Sequence, residues 1–364
     1  MFMKTSPAAP RSLWGWGLNS NGELGIGTTA NRSSPVQVGA LTDWSSVVAD
    51  RHGMAIKTDG TLWAWGMNQY GPCGLGDTVY RSSPVQVGAL TNWSKVAVAN
   101  GSSRNTLAIK TDGTLWAWGR NSQGQSGLGD VTARSSPVQV GALTTWAQVA
   151  AGYAHSLAIK TDGTLWAWGN THRYGAPGLG YANPGFSSPV QVGALTTWSQ
   201  VVCGLDWTAA IKTDGTLWTW GRNNMGQLGL GDTTNRSSPV QVGALTTWAK
   251  VSAGAIHAMA IKTDGTLWGW GYNNYCGALG LGDTTNRSSP VQVGALTTWS
   301  QVGAGLRHTV ALRENGTLWT WGAGPVGQLG LGAFYYKSSP TQVGALTTWA
   351  AVAAGYKAAF AIKN

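Results

Sequence analysis

Charged residues and long apolar runs are both scarce in this chain of 364 residues. Only 10% of the residues are charged, and no cluster of Lys or Arg resembles a nucleic-acid-binding arm, although the net charge is +10. We therefore expect no DNA or RNA partner. No apolar stretch approaches the roughly 18 residues of a membrane-spanning helix. The segment from Met1 to Pro10 lacks the apolar core of a signal peptide, so neither membrane insertion nor secretion by that route is expected.

The chain consists of seven copies of one sequence unit. The phrase Leu-Trp-x-Trp-Gly recurs every 49 to 53 residues and begins at Leu13, Leu62, Leu115, Leu165, Leu217, Leu267 and Leu318. The phrase Ser-Ser-Pro follows each copy, with its proline at Pro35, Pro84, Pro137, Pro189, Pro239, Pro290 and Pro340. A third phrase, Gly-Ala-Leu-Thr-x-Trp, ends at Trp44, Trp93, Trp146, Trp198, Trp248, Trp299 and Trp349. A regular period of about 50 residues is typical of a propeller or a solenoid.

One unit predicts four short strands. Residues 146–152 are small and apolar, which suits an innermost strand near a propeller axis. Residues 155–160 and 164–169 flank the dipeptide Asp-Gly, a strong signal for a hairpin turn. A Gly-rich connection then leads to residues 189–192, where the leading proline suits an outer edge strand because it lacks the N–H of a ladder bond.

The two ends of the chain together supply the strands of one blade. The chain begins just before a third strand and a fourth strand, and it finishes with a first strand and a second strand. The N-terminal strands therefore complete the last blade and remove open sheet edges. The sequence predicts an all-β fold, a seven-bladed β-propeller of four-stranded antiparallel blades. Residues 1–11 form an N-terminal extension in this interpretation, and residues 12–364 form a single domain.

The recurring tryptophans and the cysteines indicate packing. Of the 22 tryptophans, fourteen belong to the Leu-Trp-x-Trp-Gly phrases and seven end the third phrase, so we interpret these as core and only Trp207 stands apart. The cysteines, Cys73, Cys203 and Cys276, lie in different copies and are odd in number, which implies no disulfide framework. Cys203 takes a place that most copies fill with alanine, so it reads as a small buried residue.

The repeated phrases resemble those of the RCC1 family, the regulators of chromosome condensation and their bacterial relatives. Residues 151–159 and 162–169 carry the resemblance, together with the Gly-rich segment 223–231, and it extends from about residue 12 to the end of the chain. The resemblance implies a seven-bladed propeller, while one fold hosts many functions. The family's founding member is an exchange factor for a small GTPase and uses an inserted β-wedge. The copies here differ in length by only a few residues, which leaves no room for such an insertion.

The near-identity of the copies is similar to bacterial and bacteriophage members of the family. Some of those proteins are presumed to be components of a virion or a tail. The resemblance therefore implies a location in a virus particle, with the cytoplasm as the alternative.

The copies differ mainly on one face of the predicted disc. In antiparallel blades, the connections between the first and second strands share a face with those between the third and fourth strands. The opposite face repeats Lys-Thr-Asp-Gly and Val-Gly-Ala-Leu-Thr almost without change. All ten tyrosines fall in the diverse connections or their continuations. Tyrosine offers a large amphipathic contact area at low entropic cost, so this pattern favours a recognition surface over neutral drift.

The candidate binding residues are aromatic and charged residues of the diverse connections. They are Tyr70, Arg104, Tyr153, His172, Arg173, Tyr174, Asp206, Trp207, Arg222, Tyr272, Tyr275, Arg307, Tyr335, Tyr336, Tyr356 and Lys357. We expect them to contact a protein or a cell-surface glycan. The uniform opposite face is a hypothetical docking surface for a larger assembly.

The remaining polar residues predict no catalytic, metal or cofactor site. Four histidines hold one place at the start of a strand, which favours a structural hydrogen bond: His52, His155, His257 and His308. Four aspartates each precede an arginine by four residues, in the pairs Asp77–Arg81, Asp130–Arg134, Asp232–Arg236 and Asp283–Arg287. One copy has Tyr181 and Phe186 in these places, and the joint change indicates a local ion pair.

The sequence therefore predicts a non-enzymatic recognition protein that acts through its variable loops. The leading hypothesis is a phage virion or tail component that contacts a host surface or another virion protein. The alternative is an intracellular protein-interaction module, in its sharpest form an exchange factor for a small GTPase. An enzyme on this scaffold should show carboxylates that converge near the axis, and only Asp50 and Asp206 are candidates.

Overall fold

The computed structural model describes residues 10–99, 101, 103–170, 174–180 and 185–364. Within these ranges 28 strands form seven four-stranded antiparallel sheets, so the predicted seven-bladed propeller is confirmed. No helix of the described ranges is long and apolar enough to cross a membrane.

The strands are numbered in chain order and grouped into blades. The first two strands belong to blade 7: β1 (Ser12–Gly17) and β2 (Arg32–Gln37). Blade 1 contains β3 (Trp44–Ala49), β4 (His52–Lys57), β5 (Leu62–Gly66) and β6 (Arg81–Gln86). Blade 2 contains β7 (Trp93–Val98), β8 (Asn105–Lys110), β9 (Leu115–Gly119) and β10 (Arg134–Gln139). Blade 3 contains β11 (Trp146–Ala151), β12 (His155–Lys160), β13 (Leu165–Gly169) and β14 (Phe186–Gln191).

The second half of the chain repeats the same order. Blade 4 contains β15 (Trp198–Cys203), β16 (Trp207–Lys212), β17 (Leu217–Gly221) and β18 (Arg236–Gln241). Blade 5 contains β19 (Trp248–Ala253), β20 (His257–Lys262), β21 (Leu267–Gly271) and β22 (Arg287–Gln292). Blade 6 contains β23 (Trp299–Ala304), β24 (His308–Arg313), β25 (Leu318–Gly322) and β26 (Lys337–Gln342). Blade 7 is completed by β27 (Trp349–Ala354) and β28 (Ala358–Lys363).

The ring closes in blade 7, where the two chain ends pair. The order of its sheet is β2-β1-β28-β27, and β1 pairs with β28 from Ser12 opposite Lys363 to Gly17 opposite Ala358. The predicted closure by the N-terminal strands is therefore confirmed. Because β28 bonds to β1, its ladder is satisfied on both sides and does not present an open edge.

The innermost strands converge around the axis. They surround a channel of about 300 Å³ that is lined by valine, alanine and other small side chains from all seven blades. Small residues are required there because seven strands approach one another closely. Cys203 lies in this wall and is buried, as its alanine-like position predicts.

The second tryptophan of each Leu-Trp-x-Trp-Gly phrase lies in the seam with the preceding blade. Trp168 of blade 3 is fully buried, and its indole N–H donates to the carbonyl of Gln125 in blade 2 at 2.9 Å. Trp146 packs edge-on against Trp166 and Trp168, with ring centroids 6.0 and 6.4 Å apart. The interpretation of the recurring tryptophans as core is confirmed.

The Asp-Gly-Thr hairpins of blades 1 to 5 are each held by their own side chains. In blade 3, Asp162 accepts hydrogen bonds from the backbone N–H and the hydroxyl of Thr164, at 2.9 and 2.6 Å. The hydroxyl of Thr164 in turn accepts the indole N–H of Trp166 at 2.9 Å. The bonds from Thr164 lower the pKa of Asp162 below its usual value. These short-range contacts explain why the phrase is so uniform along the chain.

Gly163→Ala is expected to lower the free energy of unfolding by about 2 kcal/mol or more. Gly163 has a φ of 78°, and a Cβ atom there would lie 2.1 Å from the carbonyl oxygen of Thr196. Gly193→Ala is the matched control, because its φ is also positive at 62° while its Cβ would meet nothing within 4 Å. Urea unfolding of the two variants measures the difference. Equal losses in the two variants would show that the contact with Thr196 adds nothing to the cost of placing alanine at a positive φ.

Candidate recognition face

Antiparallel pairing divides the connections of the propeller between two faces. We define the variable face as the inner turns, between first and second strands, together with the outer loops, between third and fourth strands. The uniform face carries the turns between second and third strands and the links from blade to blade. The uniform face has a repeated pattern of leucines that are 42–47% exposed: Leu90, Leu143, Leu195, Leu245, Leu296 and Leu346.

Exposed aromatic side chains collect in the outer loops of the variable face. Tyr275 is 78% exposed, Tyr336 is 54% exposed, and Tyr70 and Tyr335 are each 40% exposed. Three further candidates are half-buried: Tyr153, Tyr174 and Tyr356. Large side chains that are partly packed and partly exposed are suited to contact a partner at low entropic cost.

Most of these tyrosines carry a cation on the ring. The distances from the cation to the ring centroid are 4.1 Å for Arg51 on Tyr356, 5.7 Å for Arg104 on Tyr70, 5.7 Å for Arg120 on Tyr70, 5.1 Å for Arg222 on Tyr174, 5.4 Å for Arg307 on Tyr272, 4.9 Å for Lys337 on Tyr335 and 5.4 Å for Lys357 on Tyr356. The attraction of the ring for the cation holds each guanidinium or ammonium group over its tyrosine. The structure thus joins candidate residues into pairs that the sequence did not connect.

The outer loops of four blades contain the ion pair that the sequence predicts. In blade 2, Asp130 accepts from Arg134 at 2.6 Å and from the backbone N–H of Thr132 at 2.9 Å. The bond from Thr132 and the neighbouring Arg134 lower the pKa of this carboxyl group. The same pairs form at Asp77–Arg81, Asp232–Arg236 and Asp283–Arg287. Each pair fixes its loop and is nearly neutral.

The other three carboxylates of the variable face are buried. Glu23 is 2% exposed and accepts from the backbone N–H and the side chain of Asn21. Asp50 is 3% exposed, and Asp206 is 6% exposed with a carboxylate oxygen 3.7 Å from Arg222. Since every carboxylate of this face is buried or ion-paired, the surface that it offers to a partner is cationic.

The backbone of the variable face is strained at four candidate residues. Among the described non-glycine residues, positive φ occurs at Tyr70 (76°), Arg104 (61°), Tyr174 (62°), Tyr275 (66°) and, on the uniform face, at Asp43 (67°). This region costs a residue with a Cβ roughly 1 kcal/mol or more. Strain of this kind concentrates at functional sites, because the surrounding structure must hold it in place.

Three candidate residues are not exposed, which corrects the interpretation of them as surface anchors. Trp207 is fully buried, because it takes the strand position that histidine holds in other blades, and it donates to the carbonyl of Ala255 at 3.1 Å. Tyr272 is 8% exposed and packs with Cys276, Ala278 and Ala323. Asp206 is also buried. His172 and Arg173 lie outside the described residues.

Among the cations of this face that sequence reasoning missed, Arg51 and Arg120 lie in the loops of blades 1 and 2. Arg51 lies in an inner turn at the place of Arg307 in blade 6, and Arg120 directly follows β9. Both lie over tyrosines from a neighbouring blade. Arg51 could have been selected from the sequence, because it occupies the same position in its copy as the candidate Arg307. No sequence pattern singles out Arg120.

The four recurring histidines lie in the seams between blades. His52, His155 and His257 place Nε2 at 2.9, 3.1 and 3.2 Å from a threonine hydroxyl of the next blade: Thr106, Thr208 and Thr309. Burial lowers the pKa of these three histidines to about 3 and that of His308 to about 4. Each of these three bonds joins two side chains across a seam and is a structural hydrogen bond of the kind that the sequence favours. No group of three or more His, Cys, Asp or Glu able to hold a metal ion occurs in the described part of the chain.

The geometry defines a class of protein, a β-propeller with one constant face and one face of variable, cation-bearing loops. Comparison with known families places the chain further. Residues 137–364 match the model of the RCC1-like domain, and residues 12–56, 59–105 and 112–159 match the model of the regulator of chromosome condensation (RCC1) repeat. The chain belongs to this family.

Among curated proteins, the chain is similar to the ultraviolet-B receptor UVR8 of Arabidopsis thaliana. The two are 35% identical over 240 residues, which cover 64% of this chain and 54% of the receptor. The chain therefore spans about half the length of that relative. Among solved structures, Prp20p of Saccharomyces cerevisiae has a TM-score of 0.84 at 21% identity and covers 98% of this chain and 92% of its own. Human WBSCR16 has a TM-score of 0.85 at 22% identity, and the match covers 98% of this chain and 99% of WBSCR16. These two likenesses concern the fold.

Proposed function

We propose that this propeller is a non-enzymatic recognition protein whose variable face binds a partner protein or a cell-surface glycan. One observation carries the proposal: exposed tyrosines and tyrosine-stacked cations gather on the face where the repeats differ. The framework of the other face stays constant through the chain. Loops on a rigid scaffold are a common place for binding residues, because the scaffold limits the entropy lost on binding.

In its finer form, the proposal is a phage virion or tail component that contacts a host surface or another virion protein. The near-identity of the seven repeats supports this form, and the location would then be the virus particle. The alternative is an intracellular protein-interaction module in the cytoplasm, with exchange on a small GTPase as its sharpest form. The ring of exposed leucines on the uniform face supports an accessory proposal, that this face docks onto a larger assembly.

Replacing two exposed tyrosines and one half-buried tyrosine of the variable face is expected to weaken binding strongly. The variant Tyr153→Ala/Tyr275→Ala/Tyr336→Ala removes aromatic contact area from blades 3, 5 and 6. The loss should exceed tenfold in affinity, since tyrosines at the centre of an interface each contribute about 1 kcal/mol or more. Binding is measured on a glycan array and on whole bacterial cells, and by capture from a cell lysate.

The matched control is Leu143→Ala/Leu245→Ala/Leu346→Ala, which removes three exposed apolar side chains from the uniform face. These leucines are 47%, 47% and 44% exposed. Thermal melting must show that both variants remain folded. Loss of binding in the leucine variant alone would contradict the proposal and assign recognition to the uniform face.

A further inference from the structure

We infer that blades 7, 1 and 2 form an anion-binding sector of the variable face, and that this sector takes the Asp and Glu side chains of an acidic protein segment. The inference rests on the proposed function and specifies the partner for that face. The sector is defined by Arg32, Arg51, Arg104, Arg120 and Lys357.

Two tyrosines of the sector each carry two cations. Tyr70 lies under Arg104 and Arg120, both 5.7 Å from its ring centroid. Tyr356 lies under Arg51 at 4.1 Å and Lys357 at 5.4 Å. Two like charges on one ring repel each other, and a bound anion between them would relieve that repulsion.

The two tyrosine centres are joined through the inner turn of blade 1. The carbonyl of Asp50 accepts from the backbone N–H of Tyr356 at 3.4 Å, and its side chain accepts from the N–H of Gly101 at 3.1 Å. The inner turns of blades 7, 1 and 2 therefore hold one another in position. This arrangement places Lys357, Arg51 and Arg104 on adjoining inner turns.

The carboxylates of the sector are already engaged or buried. Glu23 and Asp50 are 2% and 3% exposed, and Asp77 and Asp130 pair with Arg81 and Arg134 at 2.6 Å. Blade 7 has Thr28 where four other outer loops have aspartate, and Arg32 donates to the Thr28 hydroxyl and to the backbone carbonyl of Asn31. The five cations that define the sector, together with Arg81 and Arg134, outnumber these four carboxylates and leave a formal charge of +3.

The guanidinium groups also retain free donor capacity. The Nε atoms of Arg51 and Arg104 are buried and have no acceptor among the residues that the structure describes. Nη1 of Arg104 donates to the side-chain oxygen of Gln69 at 2.5 Å. A guanidinium that lies on an aromatic ring keeps its N–H edge available, and that edge matches a carboxylate in a bidentate geometry. Tyr70 and Arg104 both have a positive φ, a strained conformation that the surrounding structure must hold in place.

The observations favour a protein over a nucleic acid. Four of the five cations lie over tyrosine rings, and the sequence contains no run of Lys or Arg of the kind that tracks a phosphate backbone. Arginine and tyrosine are also the residues enriched at the centres of protein interfaces.

The test uses the full chain and a fluorescein-labelled peptide of about ten glutamates, with anisotropy measured at about 50 and 300 mM NaCl. We expect the wild type to bind the glutamate peptide and not to bind a glutamine peptide of the same length. Its affinity for the glutamate peptide should fall at the higher salt concentration. Arg51→Gln/Arg104→Gln should weaken binding about tenfold or more at low salt. Lys160→Gln/Lys262→Gln removes the same charge from the uniform face and should change binding less than about twofold.

Three results would overturn the inference: no binding of the glutamate peptide by the wild type, equal weakening by both double variants, or tighter arginine-dependent binding of single-stranded DNA or heparin than of the peptide. Melting temperatures confirm that the variants are folded. The outcome is separable from that of the tyrosine variant, whose changes lie in blades 3, 5 and 6. If the tyrosine variant loses its partner while Arg51→Gln/Arg104→Gln keeps it, the recognition face stands and the acidic partner does not.

Discussion

Trp168→Ala is expected to lower the free energy of unfolding by about 4 kcal/mol. The indole is fully buried in the seam between blades 2 and 3, among Leu107, Ile109 and other residues of one apolar cluster. Its removal leaves a cavity and deletes the hydrogen bond to the carbonyl of Gln125. A propeller is closed, so a weakened seam reduces the stability of the ring as a whole.

Trp166→Ala is the matched control, since Trp166 belongs to the same strand and the same phrase. Its side chain is only half-buried, and its N–H bonds within its own hairpin, to Thr164. We expect a loss of about half that of Trp168→Ala, because less apolar surface returns to water. Urea unfolding followed by tryptophan fluorescence and by circular dichroism gives both values. If the two variants lose the same stability, burial in the seam is not what makes Trp168 important.

Acidification from pH 7.5 to pH 5 is expected to lower the free energy of unfolding by several kcal/mol. Burial lowers the pKa of His52, His155 and His257 to about 3 and that of His308 to about 4, against 6.5 for an unperturbed histidine. Below pH 6.5 these four histidines bind protons in the unfolded chain but stay neutral in the folded chain. The stabilisation is therefore complete above pH 6.5 and is lost as the pH falls toward the folded pKa. Each histidine contributes a loss of roughly 2 kcal/mol by pH 5.

The variant His155→Gln isolates the contribution of one histidine. Glutamine can still place an amide group near the hydroxyl of Thr208, which Nε2 of His155 contacts at 3.1 Å, but it does not titrate. We expect the variant to lose less stability than the wild type between pH 7.5 and pH 5, by the share of one histidine. Denaturant unfolding at several pH values in this range measures it. An unchanged pH dependence in His155→Gln would show that protonation of His155 is not linked to unfolding.

Much of the fold could be predicted from the sequence because its signals are local and recur. The Asp-Gly-Thr-Leu-Trp phrase contains its own hairpin, with Asp162, Thr164 and Trp166 bonded within five residues. The spacing of the phrases set the number of blades, and the missing strands at the two ends predicted the pairing of β1 with β28. The ion pair of Asp130 with Arg134 was likewise readable, because its partners are four residues apart.

The candidate site was predicted less well because exposure and contact depend on the packing of neighbouring blades. Trp207 lies in a diverse segment of the sequence, yet the first residue of a second strand points into the seam, and its side chain is buried. Tyr272 is covered by Cys276 and Ala278 of its own outer loop and by Ala323, which follows β25 in the next blade. Sequence diversity therefore marked the correct segments without marking which side chains reach the surface.

The sequence by itself determined the seven blades, the order of the strands, the closure of the ring and the division into a uniform and a variable face. These follow from periodicity, turn chemistry and antiparallel geometry, which act over a few residues. Only the tertiary structure decided which cations lie on which tyrosines. Arg51 meets Tyr356 and Arg104 meets Tyr70 across seams between blades, so the partners are brought together by ring closure and blade stacking.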